Sequence, residues 1–176
     1  YAGYMILVPV LAGITDRMDA RKIMGLGSLL GALAALAFAL LARGFWSALV
    51  LRFLAGISLA GIYMPGLKVV RDHTEGTLQS RFISFYTASF SIGASLSYLL
   101  AGEIYTLGGW RWAFTASAAG AAVALIIVFF YVPPGKIRTS KRQALLADFK
   151  VVFRSRPSMA YVLGYAAHMW ELFSMR

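Results

Sequence analysis

The chain has 176 residues, of which 60% are hydrophobic and only 14% are charged, and it contains no cysteine. Soluble domains are about 45 to 50% apolar and about 25% charged, so this composition excludes both a soluble globular domain and a disordered one. Without cysteine, disulfides and thiolate metal sites are also excluded.

Six apolar segments follow one another along the chain. The first, residues 1–12, is about 18 Å long as a helix and is predicted to be the second half of a membrane span. A membrane crossing requires about 20 residues, and each of the later segments is about that long or longer. These segments are 23–42, 45–66, 82–107, 112–132 and 158–176. Ten-residue alternating segments typical of a barrel do not occur, so the prediction is an all-α, polytopic membrane bundle. We expect the chain to be an internal piece, truncated at both ends.

The net charge of +10 is explained by the sidedness of the basic residues. Of the seventeen, thirteen fall in the segments 13–22, 67–81 and 133–157, which the positive-inside rule places in the cytoplasm. The aromatic residues predicted at the opposite interface are Phe45, Trp46, Tyr105, Trp110 and Trp112. We therefore expect the lipid bilayer as a partner, and no nucleic acid.

The chain is predicted to have three parts. Residues 1–132 form an incomplete N-terminal bundle, 133–157 a cytoplasmic linker, and 158–176 the start of a second bundle. Within the linker, apolar residues fall on one helical face, which predicts an amphipathic helix in the headgroup layer. A short solvated linker helix is the alternative.

Three pairs of small residues have the four-residue spacing that lets membrane helices approach closely. The pairs are Gly27 with Gly31, Gly56 with Ala60, and Ala116 with Gly120. Each pair is predicted to mark a helix contact.

Ionisable residues inside spans are costly, and two of them lie towards the predicted outer interface. Arg52 is about 10 Å from that interface and Glu103 about 5 Å. A static Arg52–Glu103 pair locking two helices is one interpretation. In the other, Arg52 faces a central pathway and binds an anionic group or takes part in proton transfer.

Glu171 is about 20 Å from the cytoplasmic side, and His168 precedes it on the same helical face. Desolvation of a carboxylate at this depth suits a proton-coupling site, whereas a packed, hydrogen-bonded glutamate is the alternative. For His168, a satisfied polar residue is favoured over a proton relay.

Enzymes are a rival class with little support, because nucleophile-elbow and zinc-protease motifs do not occur and the chain has two histidines. The group Asp72, His73 and Glu75 fits no standard metal-ligand spacing and is interpreted as a solvated loop. We expect no enzyme activity, cofactor or metal. A non-transporting receptor or assembly subunit is a further alternative.

Three segments resemble motifs of the major facilitator superfamily. Residues 12–22, AGITDRMDARK, resemble the loop G-x-L-a-D-R-x-G-R-K between helices two and three, with Ala12 and Asp19 in place of glycines. Residues 52–61 are similar to the fourth-helix pattern R-x-x-q-G-x-g-a-a, and Gly109-Trp110-Arg111-Trp112 to a segment between helices five and six. The order and spacing of these motifs place the chain from late helix two through most of helix seven.

The resemblance implies a secondary transporter in which two six-helix halves alternate access to a small solute. It places Arg52 beside the pathway and implies that Asp16, Arg17, Arg21 and Lys22 form a gating charge network. A drug or metabolite efflux antiporter is the alternative within the family, although residues 97–102 lack the glycine-proline pair of many drug antiporters. We expect a monomer in the bacterial inner membrane, coupled to protons, that moves an organic or inorganic anion.

Overall fold

The computed structural model describes residues 2–15, 18–134 and 154–174, which form five helices. They are α1 (Ala2–Thr15), α2 (Ala20–Leu41), α3 (Phe45–His73), α4 (Gly76–Tyr131) and α5 (Arg156–Ser174). These ranges contain no strand, and α2, α3 and α4 are long and apolar enough to cross a membrane, which confirms the predicted all-α membrane bundle. Helices α1 to α4 belong to one compact unit, residues 1–139, and α5 belongs to a second, residues 140–176.

Helix α4 is interrupted at Gly109, whose φ of 76° and ψ of −175° are not helical. The break divides α4 into a first arm, residues 76–108, and a second arm, residues 110–131. Each arm exceeds the about 20 residues that a crossing requires, so the two spans predicted here correspond to the two arms. A cavity of about 450 Å³ lies between the arms, lined by Ile104, Leu107, Gly108, Trp112, Thr115, Ala116 and Ala119.

Helices α2 and α3 run antiparallel and touch through small residues. A Cβ placed on Gly27 would lie 2.9 Å from the carbonyl carbon of Gly61, and one on Gly31 would collide with the Ser58 hydroxyl. Side chains larger than hydrogen at these positions would force the two backbones apart. The predicted contact through Gly27 and Gly31 is confirmed.

The other two small-residue pairs have different outcomes. Gly56 packs against the backbone of Gly3 and Tyr4 in α1, and Ala60 is fully buried, as predicted. A Cβ on Gly120 would meet no atom within 4 Å. The contact predicted at Gly120 is therefore not made by any described helix.

Helices α2, α3 and the second arm meet in a small apolar core near the basic end of α2. Its members are Ala20 and Met24 from α2, Val69 from α3 and Val128 from the second arm, with Val132 against them. The first arm contacts α3 through Tyr86 and Phe90, which lie in the first half of the arm.

The segment 67–81, expected as a loop, is helical apart from Thr74 and Glu75. Lys68 and Asp72, four residues apart on α3, form a salt bridge of 2.7 Å, and this spacing stabilises helix. The Gln79 amide donates to the carbonyl oxygens of Arg71 and Thr74 at the end of α3. Charged residues here extend the helices beyond the apolar spans, which is why apolarity alone underestimated α3.

The loop between α1 and α2 is also shorter than the predicted segment 13–22, because α1 continues to Thr15 and α2 begins at Ala20. Asp19, which replaces a motif glycine, is the N-cap of α2, and its carboxylate accepts from the Arg21 amide at 3.0 Å. The proposed amphipathic helix of the linker lies outside the described residues.

Candidate functional site

Arg52 lies in the second turn of α3, about 10 Å from the start of the helix at Phe45. The guanidinium carbon is 5.0 Å from the centre of the Phe38 ring of α2 and 4.6 Å from the centre of the Phe114 ring of the second arm. Three separate helices therefore converge on this one cation.

The rings around Arg52 form a continuous aromatic group. The Phe38 and Phe114 ring centres are 4.2 Å apart, and the Trp110 ring meets their edges at 6.0 Å and 6.2 Å. Arg111 places its guanidinium carbon 5.1 Å from the centre of the Trp110 ring. We call Phe38, Arg52, Trp110, Arg111 and Phe114 the arginine–aromatic cluster.

Glu103 is not part of this cluster. It lies exposed on the first arm, where its backbone carbonyl accepts from the Thr106 hydroxyl at 2.7 Å. Among the described residues, no salt bridge joins Arg52 to Glu103. The structure thus places the Arg52 guanidinium over aromatic faces, which attract a cation without neutralising its charge.

Phe38 and Phe114 were missed by the sequence reasoning, which placed Trp110 but neither of these phenylalanines at the outer interface. A signal was present, because each phenylalanine lies within about two turns of the same end of the bundle as Arg52. Phe38 is three residues before the end of α2, and Phe114 is five residues after Gly109. Depth alone, however, does not determine which face of each helix is turned towards Arg52.

The second unit carries Glu171 and His168, which lie three residues apart in α5. Their side chains lie outside the described part of the structure. The roles of Glu171 and His168 in the pathway remain predictions.

Of the four predicted gating residues, Asp16 and Arg17 lie outside the described ranges, and Lys22 is exposed. Arg21 donates a hydrogen bond to the Phe129 carbonyl, and its guanidinium carbon is 5.1 Å from the Phe129 ring centre. The Phe129 carbonyl belongs to the last turn of the second arm, where helix carbonyls lack intrahelical donors. Arg21 therefore joins the first turn of α2 to the last turn of the second arm.

A tyrosine contact holds the first arm against α3. The Tyr86 hydroxyl donates to the Tyr63 carbonyl at 3.0 Å, and the two rings are 5.6 Å apart. A side chain on Gly66 would collide with the hydroxyl end of Tyr86. Glycine at position 66 thus provides the space in α3 that Tyr86 fills.

Comparison with known proteins gives a family match along nearly the whole chain. The sequence model of the family described as Major Facilitator Superfamily matches residues 1–175.

Individual relatives are distant in sequence. "Probable sphingolipid transporter spinster homolog 1" of Arabidopsis thaliana is 25% identical over 136 residues, covering 77% of this chain and 27% of the relative. "Protein spinster homolog 1" of Rattus norvegicus is 25% identical over 177 residues (94% and 34%), and that of Xenopus tropicalis is 27% identical over 172 residues (92% and 33%). The chain spans about a quarter to a third of the length of these relatives.

Proposed function

Because this chain is an integral membrane protein segment that belongs to the major facilitator superfamily, we propose that it is part of a secondary active transporter. The transporter moves a solute by alternating access, and the described helices supply one side of the pathway. Membership of this family favours transport over catalysis.

The arginine–aromatic cluster carries the proposal. A charged side chain at membrane depth costs on the order of 2.5 to 3.5 kcal/mol even on translocon-insertion scales, so it must face a cavity or a partner. Arg52 is exposed, its guanidinium carbon lies over the neighbouring Phe38 and Phe114 rings, and a guanidinium carries five N–H donors in a fixed fork. Donors in this arrangement suit a carboxylate or phosphate group of the solute.

We propose an amphiphilic anion as the solute. Arg52 supplies the anion-binding group, and the Phe38, Trp110 and Phe114 rings supply apolar surface beside it. The name of the Arabidopsis relative, "Probable sphingolipid transporter spinster homolog 1", supports a lipid-type solute.

Proton coupling is the second part of the proposal. Glu171 carries the proton and His168 lies one turn away on α5. Asp16, Arg17, Arg21 and Lys22 hold one access state through their charges, and Asp16→Asn is expected to shift the populations of the access states. Cysteine accessibility in the variant and its parent measures this shift, and unchanged populations would count against gating.

The basic end of the bundle is placed in the cytoplasm by the positive-inside rule. We assign the protein to the bacterial inner membrane because its loops are short. The relatives compared above come from a plant and two vertebrates.

The proposal is tested with the full-length protein in liposomes under a pH gradient, with uptake of dodecyl phosphate, lactate and inorganic phosphate measured in parallel. We expect transport of dodecyl phosphate, and we expect Arg52→Lys to abolish it at unchanged membrane expression, because an ammonium cannot stack and bind bidentately as a guanidinium does. Arg43→Lys, in the exposed connection between α2 and α3, is the matched control. Normal uptake by Arg52→Lys would remove Arg52 from the mechanism.

A further inference from the structure

Ser28 on α2 is a buried polar residue without a hydrogen-bond partner in the described part of the chain. Its residue is 1% exposed, and its hydroxyl oxygen is fully enclosed. Other serines in the bundle bond back to their own helix, as Ser84 does to the Ser80 carbonyl and Ser117 to the Ala113 carbonyl. Because a buried hydroxyl without a partner is unfavourable, the Ser28 hydroxyl requires an explanation.

A second polar group at the same place lacks its ordinary donor. In an α-helix the Gly61 carbonyl would accept from the backbone N–H of residue 65, but residue 65 is proline and has none. The Gly61 carbonyl also faces α2, because a Cβ on Gly27 would lie 3.1 Å from its oxygen. Gly27 is the residue next to Ser28.

The two groups lie at matching depth in the packed bundle. Ser28 is about 9 Å along α2 from Lys22, and Gly61 is about 10 Å along α3 from Lys68. Met24, one turn from Ser28, is 8% exposed, and Ala60, beside Gly61, is fully buried. Bulk solvent does not reach this position, so a hydrogen-bond partner has to be a bound species.

The chemistry of the two groups identifies that species. A carbonyl only accepts and a hydroxyl can donate or accept, so the bound molecule needs a donor for the Gly61 carbonyl and either a donor or an acceptor for the Ser28 hydroxyl. Neither group is charged, whereas cation sites in proteins gather several oxygens that include carboxylates. Water fits, and ordered water is known to satisfy carbonyls that proline leaves without a donor in membrane helices.

We propose that one water molecule is bound between α2 and α3, hydrogen-bonded to the Ser28 hydroxyl and to the Gly61 carbonyl. The water links α2 to the turn of α3 that contains Pro65. Because α3 also carries Arg52, this link fixes the helix on which the arginine–aromatic cluster is built.

X-ray radiolytic footprinting of the full-length protein tests for the water directly, because bound water generates hydroxyl radicals beside buried side chains. We expect oxidation of Met24 in the parent protein and a rate at least about fivefold lower in Ser28→Ala, since the variant removes one of the two ligands. Met18, which is 43% exposed and lies between α1 and α2 outside the apolar spans, is the internal reference and should react equally in both. Absence of Met24 oxidation in the parent, or equal oxidation in both proteins, overturns the proposal.

A double-mutant cycle provides a second measurement. Pro65→Ala returns an N–H donor to the Gly61 carbonyl, so the water then loses its second ligand. Ser28→Ala should lower the Tm of the Pro65 parent and leave the Tm of the Pro65→Ala protein unchanged. Equal Tm changes in both backgrounds would show that Ser28 and the Gly61 carbonyl share no ligand.

Discussion

The guanidinium carbon of Arg52 lies 4.6 Å from the centre of the Phe114 ring, a contact that joins α3 to the second arm of α4. An aromatic face attracts a cation and excludes water from one side of it, yet it leaves the charge in place. The positive charge is therefore held in a defined position and can still bind an anion.

Replacing this ring tests the contact. Phe114→Leu keeps an apolar side chain but removes the aromatic face, and a cation–π contact to an exposed cation such as Arg52 is worth about 0.5 to 1 kcal/mol. We expect the affinity for the transported anion to fall by about two- to fivefold, which corresponds to that range. The measurement is the concentration dependence of uptake in proteoliposomes.

Phe90→Leu is the matched control for Phe114→Leu. Phe90 is 52% exposed on the first arm and packs at the edge of Tyr63, away from the arginine–aromatic cluster. Its replacement should leave the affinity unchanged. A loss equal to that of Phe114→Leu would mean that the effect arises from general loosening of the bundle.

Gly66→Ala should destabilise the contact between α3 and the first arm. The added methyl group would overlap the hydroxyl end of Tyr86, and overpacking of this kind costs about 1 to 3 kcal/mol. Thermal unfolding of the purified protein in detergent measures the loss. Adding Tyr86→Leu, which removes the overlapping atoms, should recover part of it.

Gly93→Ala, on the first arm that also carries Tyr86, is the control for Gly66→Ala. A Cβ at Gly93 meets nothing within 4 Å, and alanine is favoured over glycine in a helix by about 1 kcal/mol. Its Tm should be unchanged or higher. Equal destabilisation by both substitutions would contradict the role given to Tyr86.

Arg21→Met should weaken the junction between α2 and the second arm. Methionine keeps apolar contact with the Phe129 ring but cannot donate to the Phe129 carbonyl, and a cation at a helix C-terminus contributes about 0.3 to 1 kcal/mol. We expect a drop in Tm that shrinks as salt is raised, because salt screens the interaction. Lys22, the next residue, is exposed, and Lys22→Met should lower the Tm by less. Equal decreases in Tm would refute the role of Arg21 in capping the second arm.

Glu171→Gln tests proton coupling separately from solute binding. Glutamine keeps the size and polarity of the side chain but cannot exchange a proton. We expect loss of uptake driven by a pH gradient, with solute exchange at equal pH retained. If Glu171→Gln still concentrates solute against the gradient, the coupling role is wrong.

The sequence was sufficient to predict the helical class and the four central spans, because apolar segments of membrane length have few alternatives. The family could be predicted from the order and spacing of three motifs. The Gly27–Gly31 contact was also predictable, since close approach requires small residues at that spacing. Gly120 has the same spacing, but among the described residues no atom lies within 4 Å of a Cβ placed there. The spacing thus identifies a helix that could pack closely and does not identify its partner.

Contacts that depend on register could not be predicted. The arginine–aromatic cluster forms only if one particular face of each of α2, α3 and the second arm is turned towards the others. The sequence shows how deep a side chain lies in the membrane, but it does not show in which direction that side chain points. The Arg21 cap joins residues 108 positions apart. The helical extent of 67–81 was missed because its charges suggested solvent, whereas Lys68 and Asp72 stabilise the helix they occupy.

The break between the two arms of α4 depends on a single residue, Gly109. Its φ of 76° with ψ near 180° is a combination essentially restricted to glycine, and other residues adopt such values at about 1 to 3 kcal/mol. Without that turn, α4 could continue as one rod of 56 residues, about 84 Å long, far more than a bilayer accommodates. The direction in which the second arm crosses therefore depends on the absence of one side chain, at residue 109.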